Sequence, residues 1–302
     1  ASGALWRFWF IRGYVREGRG WIDEALRRRP NAPTAALARA LFGGSTLAVA
    51  DGDLETAQAL ALERLDVCRA MGDDADIASA LGALANAAAG AGDFREASDL
   101  YEQAILHATA AQAWPELAST LNNLGYLALL QGDTARGIDA CSDAARRFAE
   151  LGFHEDHAGS GVNIAIGLLR RHDEEPALRI VTESLETYAE LGHEDGVSYC
   201  LDAIGTAVVR GGADPRAAVV VGAAGAVRRR TGAVAPPLED ALHDDALREL
   251  ADALGEGPLG AAIAEGEALG LDDAIGLALE LAQRRQVYPP NASSVSGSLG
   301  PS

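Results

Sequence analysis

The sequence has no lysine; all 25 of its basic residues are arginine. That excludes a phosphate-binding loop of the Walker A kind, whose lysine reaches the β- and γ-phosphates. Aromatic residues are scarce, at 5 % of the chain, so a core must be built from Ala, Leu and Val. The hydrophobic content of 48 % is nevertheless too high for wholesale disorder. Positive charge is short overall, and the formal net charge is −19. Nucleic-acid affinity comes mainly from basic residues that displace counterions, so this balance argues against direct nucleic-acid binding and against anionic membranes. The short run Arg27, Arg28, Arg29 does not reverse it. The three cysteines (Cys68, Cys141, Cys200) are far apart and set in helical-looking runs. They read as small buried apolar residues in a reducing compartment, which places the chain in the cytoplasm. No apolar run approaches the ~20 residues that span a bilayer. The opening "ASGALWRFWF" lacks the basic head of a secretory signal and an initiator Met, and the chain is expected to be a piece of something longer.

What is present is a repeat. A Gly-Asp pair stands at 52–53, 92–93 and 132–133, a period of 40 residues. Other columns follow the same step: Ala57, Ala97, Gly137, Ala177, Ala217; then Gly72, Gly152, Gly192, Gly232, with Gln112 as the exception; then Leu81, Leu121, Leu201, interrupted by Gly161. Asp214 falls one place late, and His172 stands in a glycine column. Within each period the apolar and small residues recur at helical spacing in two runs, as in Ala118, Leu121, Gly125, Ala128 and in Ala177, Ile180, Val181, Ser184. Gly can close the first helix in the left-handed conformation, and Asp can cap the second. Glu96, three residues after Asp93, has capping-box spacing. A helical hairpin cannot bury both faces alone, so such units stack as a solenoid.

These columns resemble the tetratricopeptide repeat (TPR). The run Leu121, Leu124, Gly125, Ala128 matches its first helix, and Ala97, Tyr101, Ala104 its second. The usual TPR has 34 residues; this unit is longer in its second helix, and Leu-Gly replaces the terminal Pro. Four stretches, "LWRFWFIRGYVREGRGWIDEAL" (5–26), "STLNNLGYLALLQGD" (119–133), "VVVGAAGAVRRRTGAVAPP" (219–237) and "LDDAIGLALELA" (271–282), are similar to the sensor region of actinobacterial LuxR/AfsR-type regulators of the ATPase-linked STAND class. The resemblance covers about residues 5–283. It implies an all-α, tetratricopeptide-like right-handed superhelix of ~40-residue hairpins. The expected organisation is an aromatic-rich opening hairpin (1–34), the array (35–234), C-terminal capping helices (235–286) and a disordered tail or linker (287–302).

Several stretches invite a chemical reading. "GEGPLG" (255–260) matches G-x-G-x-x-G but follows a helix, and Pro258 removes an amide that a phosphate would use; it reads as a loop between helices. "VVVGAAGA" (219–226) looks like a strand entering a phosphate loop, yet the register places it in a helix. His154 and His157 in "HEDH" lack a third clear metal ligand and read as an inter-unit turn. The sequon at Asn291 is expected to be idle. No catalytic residue, cofactor or metal is expected. The resemblance implies that first helices line a concave groove, which would present Ser79, Asn86, Ser119, Asn122, Tyr126, Val162, Ile166, Tyr199, Asp202 and Thr206. Such a lining suits a protein, a peptide or a small effector. The expected role is a non-catalytic binding region of a bacterial transcription regulator, acting on a nucleotide-binding switch domain outside this chain. The alternatives are a free-standing TPR scaffold and a regulatory array of a nucleotide cyclase or protein kinase.

Overall fold

The computed structural model describes residues 5, 6, 8, 9, 14–28, 32–210, 212, 214–232 and 235–287. The tail at 288–302, with Asn291, lies outside the described residues, as do Arg29 and position 213. Among those described there are fourteen α-helices and no strand. They are α1 (Val15–Arg27), α2 (Ala35–Ala50), α3 (Leu54–Met71), α4 (Asp74–Gly90), α5 (Phe94–Ala110), α6 (Trp114–Leu130), α7 (Thr134–Leu151), α8 (His154–Arg170), α9 (Glu174–Leu191), α10 (Glu194–Arg210), α11 (Arg216–Thr231), α12 (Pro237–Leu254), α13 (Glu256–Ala268) and α14 (Leu271–Val287). The chain divides into two compact units, Ala1–Leu127 and Ala128–Ser302.

The hinge between paired helices is built as the Gly-Asp pattern predicts. Gly52, Gly92 and Gly132 have φ of 79°, 84° and 83°, the left-handed region in which a side chain is strained. The residue after each glycine donates its N–H back across the helix end, Asp53 to Ala48, Asp93 to Ala88 and Asp133 to Ala128, each at 2.9 Å. These are the long bonds that close a helix C-terminus. The same aspartates then cap the next helix: their Oδ1 atoms accept from Thr56 N, Glu96 N and Arg136 N at 3.1–3.2 Å. The capping box is only half formed, because the Asp93 N–H is already given to Ala88.

Two positions depart from glycine at the same conformation. Gln112 has φ 53° and His172 has φ 59°. A side chain there costs roughly 1–2 kcal/mol, offset in part by the smaller entropy of the unfolded chain. Gln112→Gly and His172→Gly are therefore each expected to raise stability by up to about 1 kcal/mol, read as a higher urea midpoint.

The small-residue columns are packing columns. Ala57, Ala97, Ala177 and Ala217 are all buried, as is Gly137. In the first unit α3 packs on α2 and α4, and α4 on α5. Leu41, Leu65, Cys68, Ile77 and Leu81 form one core there; Ala85, Ala97, Tyr101, Leu124 and Leu127 form another. Gly18 sits against Trp9 and Leu47 in a third cluster with Ile22, whereas Trp21 is exposed. In the second unit α7 to α11 pack in sequence, each on the next. Gly161 interrupts the leucine column because the Ser184 hydroxyl stands 2.4 Å from where its Cβ would be. That hydroxyl donates to the Ala158 carbonyl at 3.0 Å. A further periodic contact was not visible in the sequence: Arg170 donates to the Leu129 carbonyl and Arg210 to the Leu169 carbonyl, each 41 residues back.

Among the described residues the last elements of the second unit, α11 to α14, are all helices. "VVVGAAGA" lies inside α11, whose sides are nearly all buried because α10, α13 and α14 pack around it. The loop expected at 255–260 is a correction: α13 already starts at Glu256. Gly255, at φ 79°, turns the chain in one residue, and Pro258 sits in the first helical turn, where its missing N–H costs nothing.

Candidate functional site

The first unit carries an open cleft of about 260 Å³ between the first helices α4 and α6, with Phe42 of α2 on one side. Ala78, Ser79, Gly82, Ala83 and Asn86 come from α4; Pro115, Glu116, Ser119, Thr120 and Asn123 come from α6. On each helix the lining residues include pairs three and four apart, so one face of each helix meets the cleft. Of the five groove positions expected in this unit, Ser79, Asn86 and Ser119 line it, while Asn122 and Tyr126 lie beside it on α6, half-buried.

Hydrogen bonds fix how the polar lining faces. The Asn86 carbonyl oxygen accepts from the Tyr101 hydroxyl and from Asn123 Nδ2, the latter at 3.2 Å. The Asn86 amide N–H₂ is thereby left as a donor. Burial pushes the Tyr101 hydroxyl pKa up, so it stays a protonated donor. The Thr120 hydroxyl donates to the Glu116 carbonyl at 2.7 Å. Ser79 Oγ accepts from Arg64 Nη2 at 3.0 Å, which turns its own O–H away from the guanidinium.

Arg64 is the residue that sequence reasoning passed over. It lies on α3, is 6 % exposed, and stacks its guanidinium 4.8 Å from the centre of the Phe42 ring. Its Nε and Nη1 are buried without a hydrogen-bond partner. Loss of water pushes its pKa below the usual arginine value; the fields of Cys68 and Asp76 act the other way. Only a helical register that puts position 64 on the inner side of α3 would have flagged it.

No protein-family model matches the sequence, and no characterised protein matches it by sequence. Solved structures do. A Signal Transduction ATPase with Numerous Domains (STAND) protein with a tetratricopeptide repeat sensor, from Pyrococcus horikoshii, matches at TM-score 0.64 and 14 % identity, over 93 % of this chain and 44 % of that one. BtubC from P. vanneervenii matches at TM-score 0.62 and 17 % identity, over 74 % of this chain and 92 % of that one. The Rap conjugation gene regulator of plasmid pLS20, solved with the Phr* peptide, matches at TM-score 0.55 and 10 % identity, over 84 % and 75 %. The fold is a tetratricopeptide-like helical repeat. At these identities the likeness shows the fold alone.

In the second unit of the tetratricopeptide-like array, the predicted lining is placed differently. Val162, Ile166, Asp202 and Thr206 are buried, and Tyr199 is half-buried. For Asp202 and Thr206 the physical reason is α12, which packs on α10. Asp202 is committed to Arg228 and to His243 of α12, the latter at 2.7 Å, and Thr206 donates to the Asp202 carbonyl. Arg210 forks onto the Glu249 carboxylate of α12 at 2.6–2.9 Å. These four are therefore packing positions in this structure and line no open surface. On α10, the helix α12 packs where the resemblance implies a groove lining.

Four of the six described histidines, His107, His157, His193 and His243, make structural hydrogen bonds. His157 bonds the Ala145 carbonyl at 2.9 Å, and His107 bonds Asp74 at 2.8 Å. His193 Nδ1 accepts from Gly196 N, doing for α10 what Asp does for other helices. Among the described residues no group of three or more His, Cys, Asp or Glu is placed to hold a metal ion. Cys68, Cys141 and Cys200 are buried thiols, with the Cys141 thiol pushed up to about 12 by burial. Among the same residues no helix is long and apolar enough to cross a membrane.

Proposed function

We propose that this chain is a non-catalytic partner- or effector-binding region of a bacterial transcription regulator. In this reading it acts in the cytoplasm and transmits binding to a nucleotide-switch domain outside the chain. The observation that carries the proposal is the open, donor-lined cleft on the first helices of residues 42–123. What supports the reading is that a similar fold occurs in the P. horikoshii STAND protein with a tetratricopeptide repeat sensor and in the Rap regulator solved with the Phr* peptide. The mechanism is a bias: an occupant that binds one arrangement of array and switch more tightly than the other shifts their populations. The groove contribution of Asn122 and Tyr126, beside the cleft, belongs to the same proposal.

The test is capture from lysate with the native chain and with Ser119→Arg, which fills the cleft from an exposed position. A captured partner should be lost on the variant while its melting temperature is unchanged. Undiminished capture by the variant would refute the assignment of the cleft.

A further inference from the structure

The geometry points to a binding site for a small organic acid in the first-unit cleft, its carboxylate held at the Ser79 end and Arg64 supplying the counter-charge. This rests on the reading of that cleft as a binding surface and names the chemical class it takes. Arg64 is the observation that separates it from an ordinary surface groove. A guanidinium carries five N–H donors and no acceptor and does not deprotonate in a folded protein. Here it is buried, Nε and Nη1 have no hydrogen-bond partner, and among the described residues it forms no ion pair, Asp76 acting on it through its field alone. A buried charge is ordinarily paired, because leaving it unpaired forfeits its hydration without return.

The two groups that the guanidinium touches, Ser79 and Phe42, both line the cleft. Ser79 links the charge to the cavity: its oxygen accepts from Arg64, so its hydroxyl hydrogen is directed elsewhere, as a donor strengthened by the cation behind it. The Asn86 amide N–H₂ and the exposed Ser119 hydroxyl add donors on the same lining. At the Ser79 end an acceptor-only group bearing negative charge suits the Ser79 and Ser119 hydroxyls, and a carboxylate is that group, while Asn86, two turns along α4, faces the body of the molecule. Phe42, Ala78, Ala83 and Pro115 offer an apolar wall for the body of the molecule. Glu116 also lines the cleft, so a second negative charge near the first turn of α6 is disfavoured and the acid is a monoanion. The volume of about 260 Å³ suits a compact molecule rather than a folded partner.

The experiment titrates the full chain calorimetrically with benzoate and isovalerate, and with benzamide and isovaleramide as uncharged counterparts of the same shape. A tetrapeptide with a free C-terminus and its amidated form make a third arm. The acids should bind at least about tenfold more tightly than the amides, and Arg64→Met should remove that preference. Arg64→Met should also melt at or above the native temperature, because an unpaired buried charge is replaced by an apolar side chain of similar length. Equal binding of acid and amide, no binding of either acid, or an unchanged preference in Arg64→Met would overturn the proposal. So would a preference confined to the peptide arm, which would assign the site to chain ends instead. If Arg64→Met fails to fold, crystals of the native chain soaked in sodium bromide decide the matter. An anomalous bromide peak beside Ser79 supports the site, and none refutes it. Acid binding without any change in partner capture would leave this inference standing and defeat the broader functional reading.

Discussion

Asp202→Ala is expected to lower stability by about 3–5 kcal/mol, among the largest effects of any single change in the molecule. Asp202 is 1 % exposed on α10, and its two oxygens serve two partners from different helices, Arg228 of α11 and His243 of α12. A carboxylate is acceptor-only, so His243 Nδ1 must carry the proton that it donates. Removing the carboxylate strands the Arg228 guanidinium, whose side chain is 11 % exposed, and frees the histidine. The cost is that of the orphaned cation more than of the lost bond, which makes a second experiment decisive. The triple variant Asp202→Leu, Arg228→Met, His243→Leu should recover most of the loss, because a well-packed apolar cluster replaces a buried ion cluster at little cost. Urea unfolding of the three proteins checks both statements. A loss under about 1 kcal/mol in Asp202→Ala would show that α12 is not held on α10 as described.

Gly266→Ala is expected to cost about 3 kcal/mol, at the upper end for overpacking. A Cβ at 266 on α13 would stand 2.0 Å from the Val219 carbonyl oxygen and 2.9 Å from Ala223 N, both backbone atoms of α11. The approach is mutual: a Cβ at Gly222 would stand 2.5 Å from the Ile263 oxygen. A flexible side chain can yield, but backbone in a helix packed on several sides cannot, so α13 must lift away. Gly260 supplies the control within the same helix. Nothing lies within 4 Å of its would-be Cβ, so Gly260→Ala should stabilise by about 0.5–1 kcal/mol through helix propensity alone. Opposite signs from the same substitution six residues apart, seen in thermal melts, are the expected signature of close helix docking. Equal effects at both positions would contradict it.

The repeat was legible in the sequence because it is a local pattern copied many times. Ala97, Ala177 and Ala217 are buried, and Gly52, Gly92 and Gly132 are left-handed, as their columns require. What was not legible is set by contacts made once. The burial of Asp202 and Thr206 depends on α12 returning to α10, and no period announces that. Asp202 and His243 are 41 residues apart, but the pairing is not repeated elsewhere in the described residues. An arginine in a helix reads as solvated surface, so Arg64 gave no sign of its burial beneath Phe42 and Ser79. In the candidate site, the polar positions Ser79, Asn86 and Ser119 were readable because first-helix faces recur in step. The charge behind them was not, because it comes from a second helix whose inner face usually holds alanine or leucine.

The central claim is that 40 residues, and no other length, form the structural unit. Two internal deletions test it most directly. Removing residues 153–192 joins Gly152 to His193 and keeps every column in register, whereas removing 153–186, the length of an ordinary tetratricopeptide repeat, does not. Urea unfolding followed by circular dichroism should show a single cooperative transition with native helicity per residue for the first deletion, at reduced stability. The second should show low helicity and a broad, non-cooperative change. If the two deletions unfold alike, the 40-residue unit is not what organises this protein.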